Sequence, residues 1–195
     1  MRGVEMISPQ KIGLYGGSFD PIHHGHLIMA RDAMETLELD RVIFIPANVS
    51  PHKLVRPPVS ASIRCEMVEA AICGEPGFAI DTCDAARDGA SFAIDTVRLM
   101  RGRHPAAEFF FFIGQDNVAA LHTWKDIGEL RKLVTFVVMA RGGYKCADGF
   151  PVIARTIDIS STDIRNRIAQ GRSVQYLLPH KTCKIIQRHR LYRNE

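Results

Sequence analysis

Apolar positions in this chain fall into short dense runs of strand length, separated by longer stretches in which they recur at helical spacing. Ile12-Gly13-Leu14-Tyr15 is the first run, and Ile28 to about Leu39 follows as a helix. Arg41 to Ile45 is the next run, closed by Pro46, so strand, helix and strand make a βαβ unit. The prolines of Pro46 to Pro58 exclude long regular structure and predict a loop carrying His52, Lys53 and Arg56. From Ser60 to about Cys73, Ile63, Met67 and Ala70 or Ala71 share a helical face, and Gly74 stops it. Phe78 to Thr82 reads as a strand, and Ser91 to Arg101 as a helix. Glu108 to Ile113, with phenylalanine at every position from 109 to 112, reads as a central strand buried on both faces. Leu133 to Ala140 and a weaker run from Val152 to Ile159 complete the strands. Helices opening at Ser160 and near Pro179 end the pattern.

Strands alternating with helices throughout predict an α/β fold, a mainly parallel sheet covered by helices on both faces. Ligands of such sheets bind beyond the carboxyl ends of the strands, near a switch in strand order. The 195 residues carry no internal repeat and no dividing linker, so residues 11–195 read as one domain. Residues 1–10 read as a mobile N-terminal extension.

Composition changes this picture little and mainly excludes. With 46% apolar and 24% charged residues the chain has ordinary globular balance. No run approaches the roughly 18 apolar residues of a membrane span, and the first residues lack the core of a signal peptide, so a cytoplasmic protein is expected. Five scattered cysteines without a CxxC pair favour reduced, mostly buried thiols, with Cys65 and Cys73 in a helix core. The net charge of +4 is concentrated after His180, where five Lys or Arg face one Glu. That tail predicts the solvated face of a last helix, with Leu178, Ile185 and Ile186 inward, rather than a nucleic-acid surface.

The candidate chemistry begins where the first strand turns into the first helix, at Gly16 to Leu27 (GGSFDPIHHGHL). Gly16 and Gly17 let the main chain approach a ligand, Pro21 stiffens the loop, and Gly25 lies at the helix start, where free amides suit an anion. His23 and His26, three residues apart, are placed to converge on it. A capped helix start with exposed histidines is the plain alternative. A metal site built from the three histidines lacks a carboxylate or cysteine partner other than Asp20. Ser160 and Asp163 have capping-box spacing, while the same hydroxyls and amides, with Arg165 one turn later, would also suit a second phosphate. From spacing alone both readings stand. Trp124 reads equally as core or as a stacking surface.

Taken together, GGSFDPIHHGH resembles the GxFxPxHxGH signature of the adenylyl- and cytidylyltransferases. ISSTDIR, about 140 residues later, resembles their ISSTxxR signature. Pro51-His52-Lys53, Ile113 to Asp116, Trp124 and the VQYLLP segment are similar to the bacterial nicotinate mononucleotide adenylyltransferases. The resemblance implies a Rossmann-like nucleotidyltransferase fold and transfer of AMP from ATP to nicotinate mononucleotide, with pyrophosphate released. It implies catalytic roles for His23, His26 and Arg165. It implies an ATP site of Gly16, Gly17, Ser18, Phe19, His23, Gly25, His26, Gly114, Asp116, Ser160, Ser161, Thr162 and Arg165. It places Asn48, His52, Lys53, Phe92, Ala93, Trp124, Lys125 and Arg141 around the mononucleotide. Mg²⁺ would accompany ATP, and no nucleic acid, no membrane and a monomer or small homo-oligomer are expected. The family's S-Y-T segment is Ser91-Phe92-Ala93 here, and Lys125 replaces a residue that is often aromatic. That ammonium would favour a carboxylate over an amide. A sister transferase with another acceptor and a non-catalytic nucleotide-binding regulator are the other classes to separate, by pyrophosphate release.

Overall fold

A computed structural model describes residues 9–48, 59–87, 89–142 and 149–193. The predicted roles of His52 and Lys53, the Arg56 loop, Cys146 and most of the N-terminal extension lie outside these residues.

Six parallel strands form one sheet: β1 (Lys11–Gly17), β2 (Arg41–Pro46), β3 (Phe78–Ile80), β4 (Glu108–Gly114), β5 (Thr135–Arg141) and β6 (Val152–Arg155). Their order is β3-β2-β1-β4-β5-β6, the doubly wound Rossmann arrangement, which reverses direction between β1 and β4. Helices α1 (His24–Thr36), α2 (Ala61–Ile72), α3 (Ala93–Arg103), α4 (Gln115–Val118), α5 (Ile127–Leu133), α6 (Ser161–Ala169) and α7 (His180–Arg188) join and cover them.

The four phenylalanines explain how β4 holds the centre. Phe109 and Phe111 face a core with Ile12, Leu14, Ile94, Val97 and Leu130, beneath α3 and α5. Phe112 faces the opposite core with Phe44, Met29, Ala33, Met67, Ile164 and Ile185, beneath α1, α2, α6 and α7. A strand buried on both faces needs no polar alternation, hence the unbroken apolar run. The basic last helix turns Ile185 and Ile186 inward as predicted, and Leu178 is buried just before it. The edge strand β6 stops at Arg155, short of the predicted Ile159. Ile157 and Ile159 instead line a cavity. Helix α3 starts two residues later than its pattern suggests, because the Ser91 hydroxyl accepts a hydrogen bond from the Asn48 N–H (3.1 Å) outside the helix. Cys73 is exposed at the end of α2 and Cys65, Cys83 and Cys183 are half-buried, so the expected mostly buried thiols are not found among the described residues.

Candidate active site

The loop between β1 and α1 lies at the switch point, beside the carboxyl end of β4, so Gly17 and Gly114 face a common cleft. A methyl group on Gly17 would sit 2.9 Å from the Phe19 ring, so no larger residue fits there. Phe19 adopts a left-handed backbone (φ 46°) and is held by burial of its ring against Tyr15, Phe44 and His26. Four loop carbonyls are satisfied by distant groups. Gly17 O accepts from Ala47 N, Ser18 O from Arg64 Nη1 (2.6 Å), Asp20 O from Arg165 Nη1 (2.7 Å) and Pro21 O from Ser161 Oγ (2.9 Å). The negative ends of these peptide dipoles are therefore engaged by protein, which favours an anion in the cleft.

His23 caps α1 in extended conformation, and its N–H donates to His26 Nδ1 (3.2 Å). Since His26 Nδ1 accepts, its proton sits on Nε2, and the ring lines the larger cavity. The two imidazoles stack at 3.8 Å between centroids and 27° between planes. His23 is only 2% exposed, contrary to the exposed-histidine alternative. Burial first, then the charges of Arg141 and His24, push its pKa down to about 3, so the ring is neutral at working pH. Its Nδ1 is buried without a protein partner at the cavity wall. Gly25 makes room for this ring, since a methyl group there would lie 3.0 Å from it.

The cleft opens into two cavities that share Gly16, Gly17, Ser18, Ala47, Gly114 and Asn117. The larger, about 490 Å³, is also lined by Phe19, His23, Gly25, His26, Asp116 and Ser161. Four arginines, Arg64, Arg141, Arg155 and Arg165, reach it against the carboxylates of Asp20 and Asp116. Arg155 is paired with Asp32 and Arg64 spends its nitrogens on carbonyls, so Arg141 and Arg165 carry the charge that suits a polyphosphate. The capping question resolves between neighbours: Ser160 Oγ accepts from Asp163 N (3.1 Å), while Ser161 lines the cavity. Thr162 reaches it only through Arg165 Nη2, which donates to its hydroxyl (3.1 Å).

The smaller cavity, about 330 Å³, is an aromatic slot between Trp124, Phe92 and Phe111, with Ala93, Ser91 and Lys125 at its wall. Phe111 and Phe136 meet the Trp124 ring at 83° and 80°, fixing the indole through edge-to-face contacts. Lys125 is the one basic residue lining this slot among the described residues. Its Nζ lies 4.9 Å from the Phe92 ring centre and 3.2 Å from Asp95 Oδ2. Asn48 and Arg141, expected around a mononucleotide, line the larger cavity instead. Asn48 braces the loop, its Nδ2 donating to Arg87 O (2.8 Å) while its carbonyl accepts from Arg64 (2.9 Å).

Against this geometry, residues 14–167 match the cytidylyltransferase-like family model. A probable nicotinate-nucleotide adenylyltransferase of Lactiplantibacillus plantarum is 42% identical over 192 residues, covering 97% of this chain and 91% of the relative. A Thermus thermophilus protein of the same description is 41% identical, covering 94% of this chain and all of the relative. The chain belongs to the nicotinate-nucleotide adenylyltransferase family. Its fold is shared by the Plasmodium falciparum nicotinic acid mononucleotide adenylyltransferase complexed with NaAD, with a TM-score of 0.75 at 19% identity, covering 94% of this chain and 97% of that one.

Several members of this family member's site escaped the sequence motifs. Arg64, 1% exposed in α2, donates to the carbonyls of Val59, Ser18 and Asn48, tying the helix to both sides of the cleft. Its signal was present: an arginine on the same helical face as Met67 and Val68, which are both core residues. Asp84, 6% exposed at the slot, accepts from Thr96 Oγ1 (2.6 Å) and lies 3.3 Å from Arg87, and burial raises its pKa. Tyr192, far from either motif, lines the larger cavity. No helix among the described residues is long and apolar enough to cross a membrane, and no group of three His, Cys, Asp or Glu among them is arranged to hold an ion.

Proposed function

We propose that this chain transfers AMP from ATP to nicotinate mononucleotide, giving nicotinate adenine dinucleotide and pyrophosphate, in NAD biosynthesis within the cytoplasm. The single observation that carries the reading is that a cation-rich cavity and an aromatic slot with one ammonium meet at the same glycine turn. ATP occupies the larger cavity and the pyridine ring lies on Trp124, so the acceptor phosphate and the α-phosphorus face each other across Gly16 to Ser18.

The acceptor's phosphate oxygen is already ionised at neutral pH, so no covalent nucleophile or strong base is required of the protein. Its oxygen forms the new bond to the α-phosphorus as the bond to the bridging oxygen breaks, and pyrophosphate leaves with that electron pair. The chain's residues align the two phosphates and neutralise charge. His26 Nε2–H donates to the phosphate region, His23 offers a neutral ring, and Arg165 and the Ser161 main-chain N–H at the start of α6 take the terminal phosphates. Asp116 is placed for the ribose. Lys125 pairs with the nicotinate carboxylate, and the Ala93 main-chain N–H supports it. Asp20 and Asp116 are the only carboxylates lining the larger cavity among the described residues, too few for an all-protein cation cage. Mg²⁺ would therefore be held by the phosphate oxygens, where it would supply further neutralisation of the leaving group.

The test is pyrophosphate release from ATP with nicotinate mononucleotide, phosphopantetheine or glycerol phosphate as acceptor. Stoichiometric pyrophosphate and dinucleotide with the pyridine mononucleotide alone is the expected result. Stimulation by another acceptor alone, or by none, overturns the reading.

A further inference from the structure

Tyr192 closes the chain onto the phosphate loop from 172 residues away, its hydroxyl donating to Asp20 Oδ1 at 2.6 Å. We infer that this hydroxyl is a positioning group for ATP binding, holding the Asp20 carboxylate aside so that the Arg165 guanidinium remains open to phosphate. The inference rests on the placement of ATP in the larger cavity.

The segment is built to hold one position. Arg190 and Tyr192 both adopt left-handed backbone (φ 51° and 62°), which non-glycine residues keep only when their surroundings fix them. The Leu191 N–H donates to Ile186 O (3.0 Å), and the Tyr192 ring is 8% exposed within the core beneath α7. Burial, together with the Asp20 charge, raises the phenol's pKa, so it stays a donor throughout the working range.

Asp20 needs such a restraint. Its carboxylate lines the cavity that would hold a triphosphate, and its own carbonyl accepts from Arg165. Arg64, bound to Ser18 O two residues away, lies close enough for the Asp20 charge to act on it. Released from Tyr192, the carboxylate would compete with phosphate for the Arg165 guanidinium or repel the phosphate directly. The loop's neighbours Arg64, Arg165 and Ser161 fix its main chain; Tyr192 fixes its one anionic side chain.

The experiment measures the equilibrium Kd for Mg·ATP, the KM for nicotinate mononucleotide and the melting temperature of wild type, Tyr192→Phe, Asp20→Asn and the double variant. Tyr192→Phe is expected to weaken ATP about tenfold, equivalent to about 1.4 kcal/mol, with the mononucleotide KM within about twofold. Asp20→Asn added to it should restore ATP affinity to within about twofold of wild type, because the charge that needed restraint is gone. Unchanged ATP affinity in Tyr192→Phe, or a loss that Asp20→Asn does not rescue, overturns the inference. If Tyr192→Phe lowers the melting temperature and weakens both substrates in parallel, the role is structural and the inference also fails. Failure of the wild type to bind ATP would instead overturn the proposed function.

Discussion

Replacing His23 with glutamine should flatten the acid side of the stability profile. In the unfolded chain a histidine titrates near 6.5, whereas in the fold burial and Arg141 push His23 down to about 3. Between these values the unfolded state binds the extra proton, so stability falls as pH is lowered through 6.5 and continues to fall toward 3. At about pH 5 the native state should have lost about 2 kcal/mol relative to about pH 7.5 from this ring alone. For a chain of this size that corresponds to about 4–8 °C in melting temperature. Glutamine cannot titrate, so His23→Gln should melt lower at neutral pH, having lost the stacked ring, but with this part of the acid slope removed. Asp84, whose carboxyl is raised by burial, pulls with the opposite sign, and it is common to both proteins, so it cancels in the comparison. Calorimetric melts of both proteins at several pH values provide the assay. Equal slopes for wild type and variant would refute a buried neutral His23.

Two further outcomes follow from the same contacts. Trp124→Ala should raise the KM for the mononucleotide about tenfold and leave that for ATP within about twofold, since the indole faces only the smaller cavity; a change confined to ATP in steady-state kinetics would contradict this. Arg64→Met leaves the carbonyls of Ser18, Asn48 and Val59 without their shared donor, and should cost about 3 kcal/mol or more in denaturant unfolding, with a loss below about 1 kcal/mol counting against it.

Periodicity and turn chemistry carried most of the fold. The Phe109–Phe112 run announced a two-sided strand because nothing else explains four consecutive large apolar side chains. The glycine spacing in the first loop likewise announced a close main-chain approach. What the pattern could not supply was direction in space. His23 sits in a motif that reads as a surface turn, yet it is buried, at a cavity that Ile157, beyond β6, also lines. Strand periodicity cannot register that burial. Arg64 and Tyr192 act through carbonyl and carboxylate groups of the first loop, and such partnerships leave no local spacing to read. Asn48 and Arg141, assigned to the mononucleotide by resemblance, line the larger cavity. His52 and Lys53 lie outside the described residues.

The choice of acceptor is made in the slot beside Trp124 and Lys125. The deciding measurement is kcat/KM for nicotinate and nicotinamide mononucleotide, followed by pyrophosphate release, in wild type and Lys125→Met. Wild type should prefer the acid, and loss of the one slot ammonium should cut that preference about tenfold by slowing the acid alone, the value of a single charge-assisted contact of about 1.5 kcal/mol. Equal use of both mononucleotides by the wild type, or an undiminished preference in the variant, would contradict the placement of the nicotinate carboxylate at Lys125. No turnover with either would contradict the proposed transfer itself.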